Sequence, residues 1–133
     1  MSLTRLMLGW WVLIGLLNWS PVWAVTVTPT GTILTVDYDE PTTNANSSPL
    51  TDLKETVVWY ALGGQPAVVC VTTPASQPTG GGHLSVACTV PVLDGQEVEV
   101  TVTATAADLS GNRSLPSDPV IRRIDRLAPG KIQ

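Results

Sequence analysis

From Leu93 to Pro116 the chain reads LDGQEVEVTVTATAADLSGNRSLP, and apolar and polar residues alternate strictly over ten of these positions. Val98, Val100, Val102 and Ala104 fall on one side, and Glu99, Thr101, Thr103 and Thr105 on the other. A period of two is the signature of a half-buried strand. In a protein of two stacked sheets the first set is core and the second faces solvent. Asp108 to Pro116 then reads as a polar loop.

The segments before and after it follow the same rule. Val25–Thr30 alternates and predicts a short edge strand, because Pro29 has no N–H for a ladder on both sides. Thr32–Tyr38 predicts a second strand with Leu34, Val36 and Tyr38 inward. Asp39–Asp52 is rich in Pro, Thr, Asn and Ser without periodicity and predicts a long exposed loop. Leu53–Leu62, Ala67–Thr73, Leu84–Val90 and Val120–Ile124 complete a set of seven predicted strands. The third ends at Gly63-Gly64, and the fourth and fifth are separated by the loop Pro74–Gly82. In Leu84–Val90 the alternation places Cys88 inward. No helical period and no internal repeat occurs beyond residue 24.

Residues 1–24 stand apart from this pattern. Arg5 precedes an apolar run from Leu6 to Leu17, followed by Asn18, Ser20, Pro21 and the ending Val22-Trp23-Ala24. These are the three parts of a secretory signal peptide, with cleavage expected after Ala24. The run is short of the roughly twenty apolar residues that a membrane span needs. Residues 25–126 then form one domain and 127–133 a C-terminal tail. The leader holds four of the five Trp and one of the seven basic residues, so the rest carries six Lys and Arg against eleven Asp and Glu. That acidic balance argues against nucleic acid, or an anionic membrane after cleavage, as a partner.

Cys70 and Cys88 are the two cysteines of an exported chain, and an even count in an oxidising compartment predicts a disulfide between them. The competing reading is a pair of buried free thiols. With the lone His83 they fall short of a four-ligand zinc set.

Three blocks carry a resemblance to a known family: Thr35–Pro41 (TVDYDEP), Ser48–Leu53 (SPLTDL) and Leu93–Ser117. They resemble the second-strand, pre-third-strand and sixth-to-seventh-strand blocks of a fibronectin type III domain. The whole chain is similar to small secreted bacterial proteins made of a signal peptide and one such module. The resemblance implies an all-β, seven-stranded antiparallel β-sandwich, immunoglobulin-like in architecture, with Thr56, Val58 and Tyr60 inward. Two family positions differ, with Tyr38 in place of a core Trp and Val98 in place of a corner Tyr. A Cys70–Cys88 bridge is not typical of the family either, and is expected to compensate.

No constellation of catalytic groups stands out. His83 follows three glycines, reads as a solvated loop residue, and has no nucleophile motif near it in sequence. Asp37, Asp39, Glu40 and Asp52 flank the first long loop but lack the spacing of a calcium loop, and read as solvated carboxylates. Asn46 and Asn112 begin sequons in form, expected to go unused in a bacterial protein.

The implied inward set turns Trp59 onto the outer face of the sheet, where it is a candidate exposed aromatic contact for a sugar or protein; the opposite register would bury it as core. Antiparallel connection brings the loops 39–52, 74–82 and 108–116 to one end and leaves tight turns at the other. Asn44, Asn46, Ser47, Ser48, Leu109, Asn112 and Arg113 are therefore candidate binding positions. The expected role is a non-enzymatic binding or structural module, periplasmic or extracellular, without cofactor, contacting a protein or carbohydrate. The alternatives are an accessory subunit of an envelope or extracellular assembly, such as a fibre or secretion apparatus, and a loop-mediated enzyme inhibitor.

Overall fold

A computed structural model describes residues 25–133. The predicted leader, 1–24, lies outside them. The described chain is all-β: seven strands in two antiparallel sheets, with no helix. The strands are β1 (Thr26–Thr30), β2 (Ile33–Asp39), β3 (Leu53–Leu62), β4 (Val68–Pro74), β5 (His83–Thr89), β6 (Glu97–Asp108) and β7 (Val120–Asp125). One sheet has the order β1-β2-β5 and the other β4-β3-β6-β7.

The predicted faces of the central strands are the observed ones. Leu34, Val36 and Tyr38 of β2, Val58 of β3, Cys88 of β5 and Val100 and Val102 of β6 meet between the sheets with Ile124 of β7. Thr56 is buried on the same side, where its hydroxyl is 2.7 Å from the Tyr38 hydroxyl. A tyrosine in the core has to satisfy its O–H, and this bond does so. Pro29 sits in β1, which is an edge strand as its missing N–H requires.

The outer-face expectation for β6 holds only in part. Thr105 and Ala107, on the side read as solvent-facing, are buried. Val57, which pairs with Thr105 across β3 and β6, is buried as well. The cause is a second, smaller cover: Trp59 and Arg113 lie over this half of the sheet.

The two sheets are joined covalently by Cys70–Cys88, with Cα atoms 5.8 Å apart. Local geometry explains how an edge strand presents Cys70. Val58 pairs with Val71 and Trp59 with Val69, so Cys70 is the extra residue of a β-bulge. The bulge lets both Cys70 and Val71 pack against the core instead of alternating. In the chain-entropy account, closing a loop of this 18-residue separation stabilises by about 3 kcal/mol. Reduction, or a Cys70→Ser/Cys88→Ser double variant, is expected to lower Tm by about 10–20 °C. Calorimetry of oxidised and reduced protein checks this, and an unchanged Tm rejects the bridge as a stabilising element.

Candidate functional site

The connections β2–β3, β4–β5 and β6–β7 emerge at one end and are tied to each other there. The tie is built around Glu40, which follows β2 and is 3 % exposed. Its carboxylate accepts the backbone N–H of Ser76 at 2.8 Å, the Ser76 hydroxyl, and the N–H of Gly82 at 3.0 Å. Its own N–H donates to the Gly82 carbonyl. Leu53 N–H donates to the Pro78 carbonyl, and Leu109 N–H to that of Asp52.

Close approach explains the glycine run. At Gly80 (φ +68°) a Cβ would collide with the Pro41 carbonyl oxygen, and at Gly82 it would crowd Ser76 and the Glu40 carboxylate. Glu40 is thus a buried clamp, not a solvated carboxylate, a role that composition and spacing alone did not reveal. Asp37 and Asp39 lie on the outer face of the three-stranded sheet beside His83, whose Nδ1 is 2.8 Å from Asp39 Oδ1. His83 opens β5 and is not a loop residue. Among the described residues no group of three or more His, Cys, Asp or Glu is gathered to hold a metal ion.

The two predicted binding loops are internally braced. Asn44 N–H donates to the Ser48 carbonyl and Ser47 N–H to that of Asn44. The Asn46 side-chain oxygen accepts both the N–H and the hydroxyl of Ser48. Ser47 occupies the left-handed region at φ 71°. In the other loop the Asp108 carboxylate accepts the N–H of Ser110 and Asn112 and the Asn112 side-chain amide. Those bonds, the Asn112 side chain first, hold the Asp108 carboxyl below its ordinary range.

Arg113 and Trp59 differ from expectation. The Trp59 indole is half-buried, and its N–H donates to Thr105 Oγ1 at 3.0 Å. The Arg113 guanidinium stacks over the ring, 5.6 Å from its centroid, and donates to the same Thr105 oxygen. A residue read as a loop contact therefore covers a residue read as an exposed one. Leu109 and Leu115 remain as exposed apolar side chains of this end.

Beside them a cleft of about 500 Å³ opens between the sheets. Tyr38 and Thr56 form its floor, Ala104 and Ala106 one wall, and Leu115 lies at its rim. Ala104 and Ala106 face inward but are too small to fill the space there. The only hint in the sequence is that run of small side chains from Thr103 to Ala107. Ser114 and Ser117 hold the rim: Ser117 Oγ accepts Ala104 N–H, Ser114 Oγ accepts Ala106 N–H, and their own N–H groups return to the same strand.

No family model, no curated protein and no solved structure matches this chain.

Two outcomes follow from the bonding at this end. Glu40→Ala leaves buried donors unpaired and is expected to cost about 2–3 kcal/mol in denaturant unfolding, with Glu40→Gln recovering part of it. A lowered carboxyl pKa in the folded state stabilises above the ordinary value and loses that contribution as pH falls through the folded value. Amides of Ser110 and Asn112 are therefore expected to lose exchange protection only below about pH 3.8, and Asp108→Asn to remove that pH dependence. Hydrogen exchange against pH checks it.

Proposed function

We propose that the chain is an exported, non-enzymatic β-sandwich of fibronectin type III type that binds a protein or carbohydrate through its long-loop end. The observation that carries this reading is the set of three loops bonded to one another, with Glu40 clamping the β4–β5 loop, beside an open cleft. Ordering a loop before binding removes an entropic cost of association, so braced loops favour recognition over mere tolerance of insertions. Leu109 and Leu115 supply apolar contacts, while the Asn44–Ser48 turn and the serine-lined rim supply polar ones.

The fold assignment rests on the three-and-four division of strands, with β4 attached to the sheet of β3, β6 and β7. Export rests on the leader pattern and on the Cys70–Cys88 bridge, which belongs to an oxidising compartment. Among the described residues no helix is long and apolar enough to cross a membrane. A non-enzymatic role is favoured by the position of His83, which is not among the residues that line the cleft.

Replacing 44–48 or 109–113 by Gly-Ser linkers is expected to leave the melting transition cooperative and to abolish retention on the glycans or envelope proteins that the unaltered domain captures. A glycan array and an envelope-extract pull-down, run side by side on the three proteins, check it. Full retention by both variants would move the binding surface to the Trp59 face.

A further inference from the structure

The cleft at the long-loop end holds a polar group that the fold leaves unspent. Tyr38 reaches across from β2 to Thr56 of β3, and their hydroxyl oxygens lie 2.7 Å apart. Both residues line the cleft, yet Tyr38 is only 5 % exposed and Thr56 only 2 %. Two hydroxyls carry two protons, and the bond between them uses one. Neither hydroxyl has another hydrogen-bond partner among the described residues. Whichever of them donates to the other, one buried O–H remains.

Strand register places the gap beside that O–H. On β6, Ala106 pairs with Thr56 and Ala104 with Val58. Val100 and Val102, further along the same face, are wholly buried, whereas Ala104 and Ala106 are half-buried and line the cleft. Two methyl groups therefore stand where larger side chains would close over the hydroxyl pair.

The charged side chains around the cleft are already committed. The Glu40 carboxylate accepts its three donors from the β4–β5 loop, and Asp39 Oδ1 is held by His83. No Lys, Arg or His lines the cleft. An anionic ligand would meet two carboxylates there and no cation.

We propose that the cleft binds a small neutral molecule of the phenol or alcohol class, with an apolar body and one oxygen acceptor at its inner end. The body lies against Ala104 and Ala106, and the oxygen accepts the remaining O–H of the Tyr38–Thr56 pair. A space of about 500 Å³ falls within the range of small-molecule sites, which combine an apolar lining with a few placed polar groups. The oxygen is required by the depth of the pair. A molecule that fills the cleft cuts this O–H off from solvent, and a wholly apolar one leaves a buried donor unpaired. A sugar is disfavoured, because its other hydroxyls would press against the alanine methyls. Such a ligand is distinct from the protein or carbohydrate partner of the loops, since none of residues 44–48 or 109–113 lines the cleft.

The test uses three probes that share one body: p-cresol, toluene and p-toluate. Each is titrated into the oxidised, isotope-labelled protein and followed by amide chemical shifts. p-Cresol is expected to shift Thr56, Ala104 and Ala106 with Kd on the order of 1 mM, a weak value set by the small size of the probe. Toluene is expected to bind at least about tenfold more weakly, and p-toluate not measurably. The double variant Tyr38→Phe/Thr56→Val removes both hydroxyls and should bind p-cresol and toluene alike, while either single variant keeps one O–H and the preference for p-cresol. Ala106→Leu fills the cleft and should abolish p-cresol binding in a folded protein. Ala104→Leu provides the same reading should Ala106→Leu fail to fold. Absence of p-cresol shifts at about 10 mM overturns the proposal. So does equal affinity for p-cresol and toluene in the unaltered protein, binding of p-toluate as tight as that of p-cresol, a preference that survives in the double variant, or binding that both leucine variants leave intact. Loss of partner capture by the loop-swapped variants bears on the loops alone.

Discussion

Everything in this molecule depends on keeping two small sheets face to face with a core of modest side chains. The chain has no Phe, and the buried cluster between the sheets is dominated by Val, with Leu34, Ile124 and Tyr38 as its larger members. Apolar burial of that kind stabilises each side chain by roughly 2–3 kcal/mol at most. The seams around the core therefore matter as much as the core itself. Cys70–Cys88 closes one side covalently, and Arg122 bonded to Val27 closes the other. At the short-turn end, Arg126 donates to the Val92 carbonyl and pairs with Asp94. At the long-loop end the seam is Glu40.

The Glu40 clamp also gives the long-loop end its order. A loop carries function best when a rigid scaffold positions it, and here the scaffold extends into the loops themselves. The buried carboxylate draws donors from the β4–β5 connection, and backbone bonds from Leu53 and Leu109 tie in the other two. Side chains of Asn46 and Asp108 then brace the tips from within. The polar groups most visible in the loop sequences are spent on this bracing. Leu109 and Leu115 are the large apolar side chains left exposed in these loops.

The two broad outer faces have different characters for related reasons. Over the four-stranded sheet, Trp59, Thr105 and Arg113 form a compact cap in which one hydroxyl accepts two donors and the guanidinium covers the ring. It shields Val57 and Ala107 and leaves little aromatic surface free. Over the three-stranded sheet, the polar side chains of β1 and the Asp37–Asp39–His83 group face solvent.

The strands and the faces of the central ones are legible in the residue pattern alone. The inward sets Leu34, Val36, Tyr38 and Val100, Val102 follow from alternation, because a period of two is enforced by the pleat wherever one face is buried. The pairing of the only two cysteines was equally legible, since no other partner exists. The fate of polar residues, by contrast, emerges only once the chain has packed. Glu40 and Asp39 are adjacent acids in the same loop-flanking run, yet one is a buried clamp and the other binds His83 at the surface. Thr105 belongs to a row of threonines that reads as solvent-facing, and is buried by an arginine eight residues further on. The cleft is likewise a product of packing, lined by the small side chains Ala104 and Ala106. Local pattern encodes which side of a strand a residue occupies. Whether that side is covered depends on partners far away in the chain, and polar side chains carry no period that would reveal them.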